Sequence, residues 1–298
     1  SLEGIGTRNS GVRVENRLGP IRIGDRSYPG AMELHVSDGG LLAINELDLE
    51  KYLQGVVGAE VPAGWPLEAK KAQAVVARTY ALVQRSLAKG PYDLEATTAD
   101  QVYAGTAVDG STRAAVTATH GEVLLQDGLL VTSYFSSACG GTTESPAEVW
   151  PERAAHGNSV VACGYCDDSP YERWTLDLQP AEIVEALKRT DHAATEVTGL
   201  HIKERSGSDR VHRLEIVTDA GVITMSGQDF RALLGFARLK SAAFTVEVAG
   251  SAFRLVGTGF GHGVGLCQHG ARGLDRAGKG YRDILHHYFP NAHPAKIY

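Results

Sequence analysis

The chain has 298 residues, of which 43% are hydrophobic and 21% charged, a composition typical of a globular protein with one large domain or two lobes. Its net charge of -6 and the lack of a long basic run argue against nucleic-acid binding. No apolar run reaches the length of a membrane span, and no signal peptide stands at Ser1. The abrupt start "SLEGIGTRNSG" is compatible with a mature or trimmed N-terminus, so the missing signal does not favour the cytosol.

The first half of the chain predicts short strands followed by helices. "GVRVENR" and "PIRIGDRSYPG" alternate apolar and polar residues, and "GGLLAINELDL" carries a continuous apolar run. The clearest helix is "WPLEAKKAQAVVARTYALVQRSLAKG", in which Pro66 suits the first helical position and Gly90-Pro91 ends the helix. A shorter helix is predicted at "STRAAVTATH".

The second half mixes hairpins with short helices. "EVLLQDGLLVTSYF" predicts a hairpin that turns at Asp127-Gly128, and residues 139–174 are irregular. Five further elements are predicted after this segment. They are a helix at "PAEIVEALKRT", the strand pair "RLEIVTDAGVITM", a helix at "GQDFRALLG", the hairpin "FTVEVAGSAFRLVG" and a closing helix at "YRDILHHYF". Because no βαβ rhythm appears, the predicted fold class is α+β.

Glycines occupy alternate positions from Gly257 to Gly265 in "GTGFGHGVGLCQHGA", with His262 among them. Such a run costs chain entropy, so it must serve backbone conformation or close approach to a ligand. No register supplies the dinucleotide-binding pattern, and the partial phosphate-loop pattern "GLDRAGK" is followed by Gly280 instead of a hydroxyl residue. Nucleotide binding is therefore rejected, and a helix is expected where the glycines end.

The cysteines are Cys139, Cys163, Cys166 and Cys267. An even number permits two disulfides, and Cys163 and Cys166 form a C-x-x-C pair. That pair runs into Asp-Asp-Ser-Pro, which is turn chemistry and not the helix start of a redox motif. A C-x-x-C pair in a turn favours a metal site over unrelated thiols or disulfides.

Four separated stretches occur in the order found in one known family. They are "LDLEKYLQGVVGAEVPAGWPLEAKKAQAVVARTYAL", "TTADQVYAG", "YFSSACGGTTESPAEVW" and "GTGFGHGVGLCQHGA". Together they resemble the stage II sporulation protein D (SpoIID/LytB) family, whose cell-wall members degrade peptidoglycan or help to degrade it. The resemblance runs from about Gly11 to Tyr298 and is weakest from Asp177 to Ala249. It implies a single two-lobed domain over residues 1–298 with a glycan-binding cleft, and residues 177–249 are expected to be a variable insert or sub-lobe.

The resemblance implies a lytic transglycosylase that acts on glycan strands stripped of their stem peptides, with Glu60 in "GAEVP" as the catalytic acid. One carboxylic acid suffices for this reaction, because a hydroxyl of the sugar itself attacks and the same group acts as acid and then as base. The apolar neighbours of Glu60 should raise its pKa, whereas the start of the helix at Pro66 should lower it. Without the family, Glu60 would be interpreted as a capping carboxylate.

Further residues are candidates for substrate binding. Asp100 is interpreted either as a second carboxylate or sugar ligand or as a turn residue. Arg78 is interpreted as a partner of a carboxylate or of the substrate, with a surface salt bridge as the alternative. Tyr80, like Trp65, is a candidate for stacking on sugar rings or for core packing. Ser136 and Ser137 could line a groove but lack an activating base. His262 and Gln268 are predicted to form hydrogen bonds with the glycan, with a glycine-rich packing turn as the alternative.

Zinc is the expected metal, held for structure by the thiolates of Cys139, Cys163, Cys166 and Cys267. Some members of the family bind zinc through cysteine and histidine, so a shell in which His156, His262 or His269 replaces a thiol stays open. The alternative functions are a non-catalytic glycan-binding enhancer of a cell-wall amidase and a zinc hydrolase, although no H-E-x-x-H motif is present. The resemblance also implies an extracytoplasmic location, in the periplasm or cell wall, with peptidoglycan as the partner.

Overall fold

A computed structural model describes residues 11–298 except residues 17, 38, 39, 107, 154 and 193. The start of the chain, which is compatible with a mature or trimmed N-terminus, lies outside the described residues. The chain divides into two compact units, unit 1 (Ser1–Val123 with Ala295–Tyr298) and unit 2 (Leu124–Pro294). Helices and antiparallel sheets occur in both, so the α+β prediction is confirmed. In the described ranges, no helix is both long and apolar enough to cross a membrane.

Unit 1 consists of short strands followed by helices. The elements are β1 (Gly11–Glu15), β2 (Ile21–Ile23), β3 (Arg26–Tyr28), β4 (Ala31–Ser37), β5 (Gly40–Glu46), α1 (Leu49–Glu60), α2 (Leu67–Leu87) and α3 (Gly110–Ala118). Strands β1, β4 and β5 form an antiparallel sheet, and β2 pairs with β3. Strand β6 (Glu122–Gln126) begins at the end of this unit.

Helix α1 was not predicted from the sequence. The side chain of Asp48 caps its first turn by accepting hydrogen bonds from the N–H groups of Glu50 and Lys51. The helix ends at Glu60, because Val61 precedes a proline and adopts an extended conformation. The segment contains two valines and two glycines, which are residues of low helix propensity and weaken its local helix signal.

The core of unit 1 forms where these helices meet. Its buried members are Leu53, Val56, Val57, Ala74, Ala77, Tyr103 and Val116. They come from α1, α2, α3 and the segment after α2, so packing against the longer α2 stabilises the short α1. This packing fixes the end of α1, where Glu60 lies.

The remaining elements belong to unit 2, apart from the last two residues of the final strand, which belong to unit 1. They are β7 (Leu129–Leu130), β8 (Phe135–Ser136), α4 (Pro146–Val149), β9 (Trp174–Leu178), α5 (Pro180–Leu187), β10 (Val197–Arg205), β11 (Val211–Thr218), β12 (Gly221–Met225), α6 (Gly227–Leu234), β13 (Phe244–Ala249), β14 (Ala252–Gly257), β15 (Leu266–Cys267), α7 (Gln268–Arg276), α8 (Tyr281–Tyr288) and β16 (His293–Lys296). The predicted hairpin turn is confirmed, since Asp127 and Gly128 both have positive φ, 52° and 79°.

Two antiparallel sheets, β10-β11-β12 and β13-β14-β9, surround the larger core of unit 2. Residues 177–249 contribute most of that core, but Trp174, Phe253 and Leu255 from outside this range also belong to it. The one-domain organisation and the insert at 177–249 stay predictions. A short parallel pair, β8 with β15, sets Cys267 opposite Ser136.

Candidate functional site

Glu60 is the last residue of α1 and is half-buried. Its Oε1 accepts a hydrogen bond from the backbone N–H of Val102 at 2.9 Å. That contact joins two of the motifs that carry the family resemblance, "GAEVP" and "TTADQVYAG". The carboxyl group is therefore held between the end of α1 and the segment that follows α2.

Asp100 lies in the same segment and accepts hydrogen bonds at both of its oxygens. The hydroxyl of Tyr80 donates to Oδ1 and the N–H of Glu95 donates to Oδ2, each at 2.8 Å. Burial and, next, the negative charge of Asp100 raise the pKa of the Tyr52 phenol, with a smaller contribution from the charge of Glu60. Tyr52 also accepts a hydrogen bond from Gln101 Nε2 at 3.5 Å. The structure thus brings Glu60, Tyr80 and Asp100 to one part of unit 1 and adds Tyr52, which the sequence analysis missed.

Arg78 is fully buried in an ion pair with Glu50. Its Nε and Nη2 donate to the two carboxylate oxygens, both at 2.7 Å, and its Nη1 donates to the carbonyl of Glu122 at 2.9 Å. Tyr298 donates to the same carboxylate at 2.6 Å. Arg78 therefore pairs with a carboxylate in the interior and not in a surface salt bridge, and no exposed surface of its side chain is left for a ligand.

The predicted ligands Ser136, Ser137, His262 and Gln268 belong to unit 2. Ser136 and Gln268 are almost fully buried, with 6% and 7% of their surfaces exposed, and Ser137 is half-buried. The carbonyl of Ser137 accepts a hydrogen bond from the N–H of His269 at 3.0 Å. Strands β8 and β15 hold this group of residues together, but their contact with a glycan stays a prediction.

His262 lies among aromatic rings, 4.8 Å from Trp150 and 6.3 Å from Tyr134 between ring centroids. Its Nδ1 accepts a hydrogen bond from the N–H of Val264 at 3.0 Å, and the ring also bonds to the backbone of Phe135. Burial lowers the pKa of the imidazole to about 3, and the charge of Arg231 adds to this effect. The ring is therefore neutral at physiological pH, with its hydrogen bonds directed to the protein backbone.

The glycine motif packs tightly on unit 2. Gly263 and Gly265 have φ of 83° and 73°; a Cβ at Gly263 would lie 2.2 Å from Arg210 Nη2, and one at Gly265 would lie 2.1 Å from the Tyr134 carbonyl oxygen. These positions require glycine for backbone conformation and close approach within the protein itself. Local packing therefore accounts for both residues without a ligand.

Two buried charged residues beneath the glycine motif were missed by the sequence analysis. Arg210, 3% exposed, donates to the carbonyls of Cys139 and Thr142 and to the Ser208 hydroxyl. Glu144, 2% exposed, accepts from Ser208 at 2.6 Å, and its N–H donates to the Gly263 carbonyl at 2.9 Å. Burial lowers the pKa of Arg210 and the charge of Glu144 opposes this. Neither residue carries a sequence motif that marks it as buried.

The four cysteines are free, buried and close together. Their Sγ atoms all lie within 4.8 Å of one another, although they come from three separate parts of the chain. Zinc in a tetrahedral thiolate shell, with Zn–S distances of about 2.3 Å, separates its sulfurs by about 3.8 Å. The Sγ atoms of Cys139 and Cys166 are 3.7 Å apart, so the arrangement fits such an ion.

Donors surround the sulfurs. The N–H groups of Cys139 and Gly270 point at Cys267 Sγ, at 3.2 and 3.3 Å, and the Tyr288 hydroxyl lies 3.0 Å from Cys163 Sγ. Hydrogen bonds to thiolates are the usual outer support of a metal–sulfur site. Cys267 caps the first turn of helix α7, which begins at Gln268.

The thiols influence one another strongly. Hydrogen bonds from Cys139, Cys163 and Cys267 lower the pKa of the Cys166 thiol, whereas burial raises that of Cys267. Four buried thiolates cannot all carry charge in an apolar interior unless a cation compensates them. The cluster can therefore hold a divalent metal ion.

Histidine does not join this cluster. In the described part of the chain, the group of metal-binding atoms that lies together consists of the four thiols. His156 bonds instead to the carbonyl of Gln126 at 3.1 Å, and His269 packs edge-on against Tyr171. These contacts favour the all-cysteine set over a mixed one.

Two protein-family models match this chain, one in each half. The family described as stage II sporulation protein (SpoIID) matches residues 37–125, and a domain of unknown function (DUF8618) matches residues 165–265. The first match contains Glu60 and Asp100. The second begins beside Cys166 and ends at Gly265.

Three relatives extend these matches. An uncharacterized protein of Brachyspira hyodysenteriae is 34% identical over 288 residues, which is 96% of this chain and 76% of the relative. The amidase enhancer of Bacillus subtilis is 30% identical over 80% of this chain, which spans only 39% of that protein's length. Stage II sporulation protein D of Bacillus subtilis is 28% identical, with coverages of 83% and 74%.

Proposed function

Because the chain belongs to the stage II sporulation protein D family, we propose that it is a peptidoglycan lytic transglycosylase with Glu60 as its general acid and base. The substrate is the glycan backbone of strands whose stem peptides have been removed. An extracytoplasmic location follows from that substrate. The position of Glu60 within the family's matched region, held by the segment around Val102, is the observation that carries the proposal.

The reaction needs one group that gives a proton and then takes one back. Glu60 protonates the glycosidic oxygen as that bond breaks, and its carboxylate then accepts the proton of the sugar hydroxyl that attacks the anomeric carbon. The hydrogen bond from the Val102 N–H fixes the position of this carboxyl group at the end of α1.

The hydrogen bonds of Asp100 favour a mechanism in which Glu60 is the one catalytic carboxyl group. Both of its oxygens accept hydrogen bonds from the protein, which fixes its position. A hydrolase would require a second carboxylate to activate water or attack the sugar. We assign Asp100 instead to holding the segment that contacts Glu60.

Mass spectrometry of digested, peptide-stripped glycan strands tests this proposal. The native protein should release anhydro-ended products, and Glu60→Gln should release none while it folds and binds glycan normally. Glu68→Gln is a matched control, since Glu68 pairs with Lys71 at 2.6 Å on α2. Products with reducing ends would identify a hydrolase, and an active Glu60→Gln variant would exclude Glu60 from the mechanism.

A second candidate function is the enhancement of a cell-wall amidase through glycan binding. The similarity to the amidase enhancer of Bacillus subtilis favours it. Under this alternative, the native protein and Glu60→Gln would both leave glycan strands intact and would stimulate a purified amidase equally. Loss of stimulation in Glu60→Gln would instead link enhancement to cleavage.

We also propose a structural zinc ion held by Cys139, Cys163, Cys166 and Cys267. The fit of the four sulfurs to a tetrahedral shell supports it. The ion compensates the thiolate charges, and four cysteine ligands leave no open position for a substrate. Its contribution is to join the loop at Cys139, the C-x-x-C turn and the start of α7.

A further inference from the structure

A groove of about 510 Å³ opens in unit 2 beside the cysteine cluster. Its lining includes Gly141, Asp167, Glu172, Arg173 and Thr245. Cys166 is the one cysteine that lines it. The groove therefore contacts the proposed metal site at one of its four cysteine ligands.

Glycine keeps this approach open. Gly141 has φ of 116°, and a Cβ built there would meet no atom within 4 Å, so its missing side chain leaves free space in the groove. The backbone of the same residue donates a hydrogen bond to the Cys166 thiol. The backbone of Gly141, which has no side chain of its own, thus lines the groove beside the sulfur.

The other three sulfurs are enclosed. Cys163 lies against the Tyr288 hydroxyl, and Cys267 lies beneath two backbone N–H groups. The backbone of Cys139 is held by Arg210, which donates to its carbonyl. None of these three cysteines lines the groove, so a metal ion passing along it meets Cys166 first.

The mouth of the groove carries two carboxylates and one guanidinium. Asp168, next to Asp167, is paired with Arg276 and Arg272 of α7. Asp167 and Glu172, in contrast, make no ion pair with the part of the chain that the structure describes. With Arg173 included, the lining has a net negative charge, which attracts cations.

We propose that this groove is the port through which a divalent metal ion enters and leaves the cysteine cluster, with Cys166 the first ligand gained and the last one lost. The inference rests on the proposed zinc site. The four cysteines would hold the ion as thiolates, so any thiol still protonated would give its proton to water in the groove on binding. Asp167 and Glu172 raise the local cation concentration at its mouth.

The rate at which cadmium replaces bound zinc in the folded protein tests the port. The ultraviolet absorbance of the cadmium–thiolate bond measures that rate. Asp167→Asn/Glu172→Gln should slow exchange about threefold at low salt, an effect that shrinks as salt screens the charges. Arg173→Gln should accelerate exchange. Asp191→Asn/Glu196→Gln is the control, because it makes the same charge change at exposed residues that do not line the groove.

A steric variant tests the path independently of charge. Thr245→Trp should fill part of the groove and slow exchange several-fold, whereas Val248→Trp, on the same strand but outside the lining, should not. Both variants should keep one zinc per chain. Absence of zinc from the native protein would refute the metal site itself, whereas bound zinc that exchanges at the same rate in every variant would overturn the port alone.

Discussion

The carboxylate of Glu60 accepts a hydrogen bond from the N–H of Val102, 42 residues further along the chain. This contact ties the end of α1 to a segment that the Tyr80–Asp100 hydrogen bond holds against α2. The geometry of the proposed catalytic group therefore depends on residues that need not touch the substrate.

Tyr80→Phe should lower the rate of glycan cleavage several-fold without abolishing it. The change removes one hydrogen bond of about 1 kcal/mol and loosens the segment that positions Glu60. Release of anhydro-ended products and urea unfolding measure the two effects. Asp100→Asn should behave similarly; if it folds normally but is wholly inactive, a two-carboxylate mechanism replaces the proposed one.

Arg78→Met should destabilise unit 1 by about 3–5 kcal/mol, because it leaves the Glu50 carboxylate without its buried partner. Arg85→Met is the control on the same helix, since Arg85 is exposed and should contribute less than about 1 kcal/mol. Urea unfolding at neutral pH measures both. Equal effects of the two substitutions would contradict the assigned importance of the buried pair.

The same ion pair predicts acid sensitivity. Burial raises the pKa of Glu50, but hydrogen bonds from Arg78 and Tyr298 outweigh it and lower the pKa below its ordinary value of 4.5. The stabilisation by this ion pair is complete above about pH 4.5, and it is lost as the pH falls through the lowered pKa of Glu50 in the folded protein. Tyr298→Phe should move that loss to higher pH in acid-unfolding curves, and unchanged curves would contradict the role of Tyr298.

His262 should make unit 2 less stable as the pH falls from about 6.5 to about 3. Its pKa is about 3 in the folded protein, so in that window the unfolded chain binds one more proton than the folded one. Within this window, the imidazole lowers the free energy of unfolding by about 1.4 kcal/mol for each unit by which the pH falls. His262→Gln should flatten the pH dependence, whereas His293→Gln at an exposed position should not.

Gly263→Ala should cost about 1–3 kcal/mol, because the new Cβ would collide with Arg210 at a positive φ. Gly250→Ala provides the control, since Gly250 also has a positive φ, 64°, but a Cβ there meets nothing within 4 Å. Thermal unfolding should separate the two variants. If both lose the same stability, backbone strain alone explains the glycine at 263.

Removal of zinc should lower the melting temperature of the protein, because the ion closes a long irregular loop. Cys163→Ser should mimic chelation, and Glu60→Gln should retain one zinc per chain by elemental analysis. Two disulfides in metal-free protein, found by non-reducing mass mapping, would contradict this prediction.

The amino-acid sequence by itself determined the α+β class, most of the helices and hairpins, the Asp127-Gly128 turn and the family, because these follow from local periodicity, turn chemistry and motif order. It also identified Glu60 and the four cysteines as candidates. It missed α1, since a short helix with two valines and two glycines is stabilised by packing that local propensity does not contain.

Only the tertiary structure decided which partners these residues have. Three features join residues that are far apart in the chain. They are the ion pair of Arg78 with Glu50, the burial of Arg210 and Glu144 beneath the glycine motif, and the cluster of Cys139, Cys163, Cys166 and Cys267. A polar side chain has the same identity whether it is exposed or buried, so the sequence could not tell a substrate ligand from a satisfied interior group. Burial and distance, which arise from long-range packing, made that distinction.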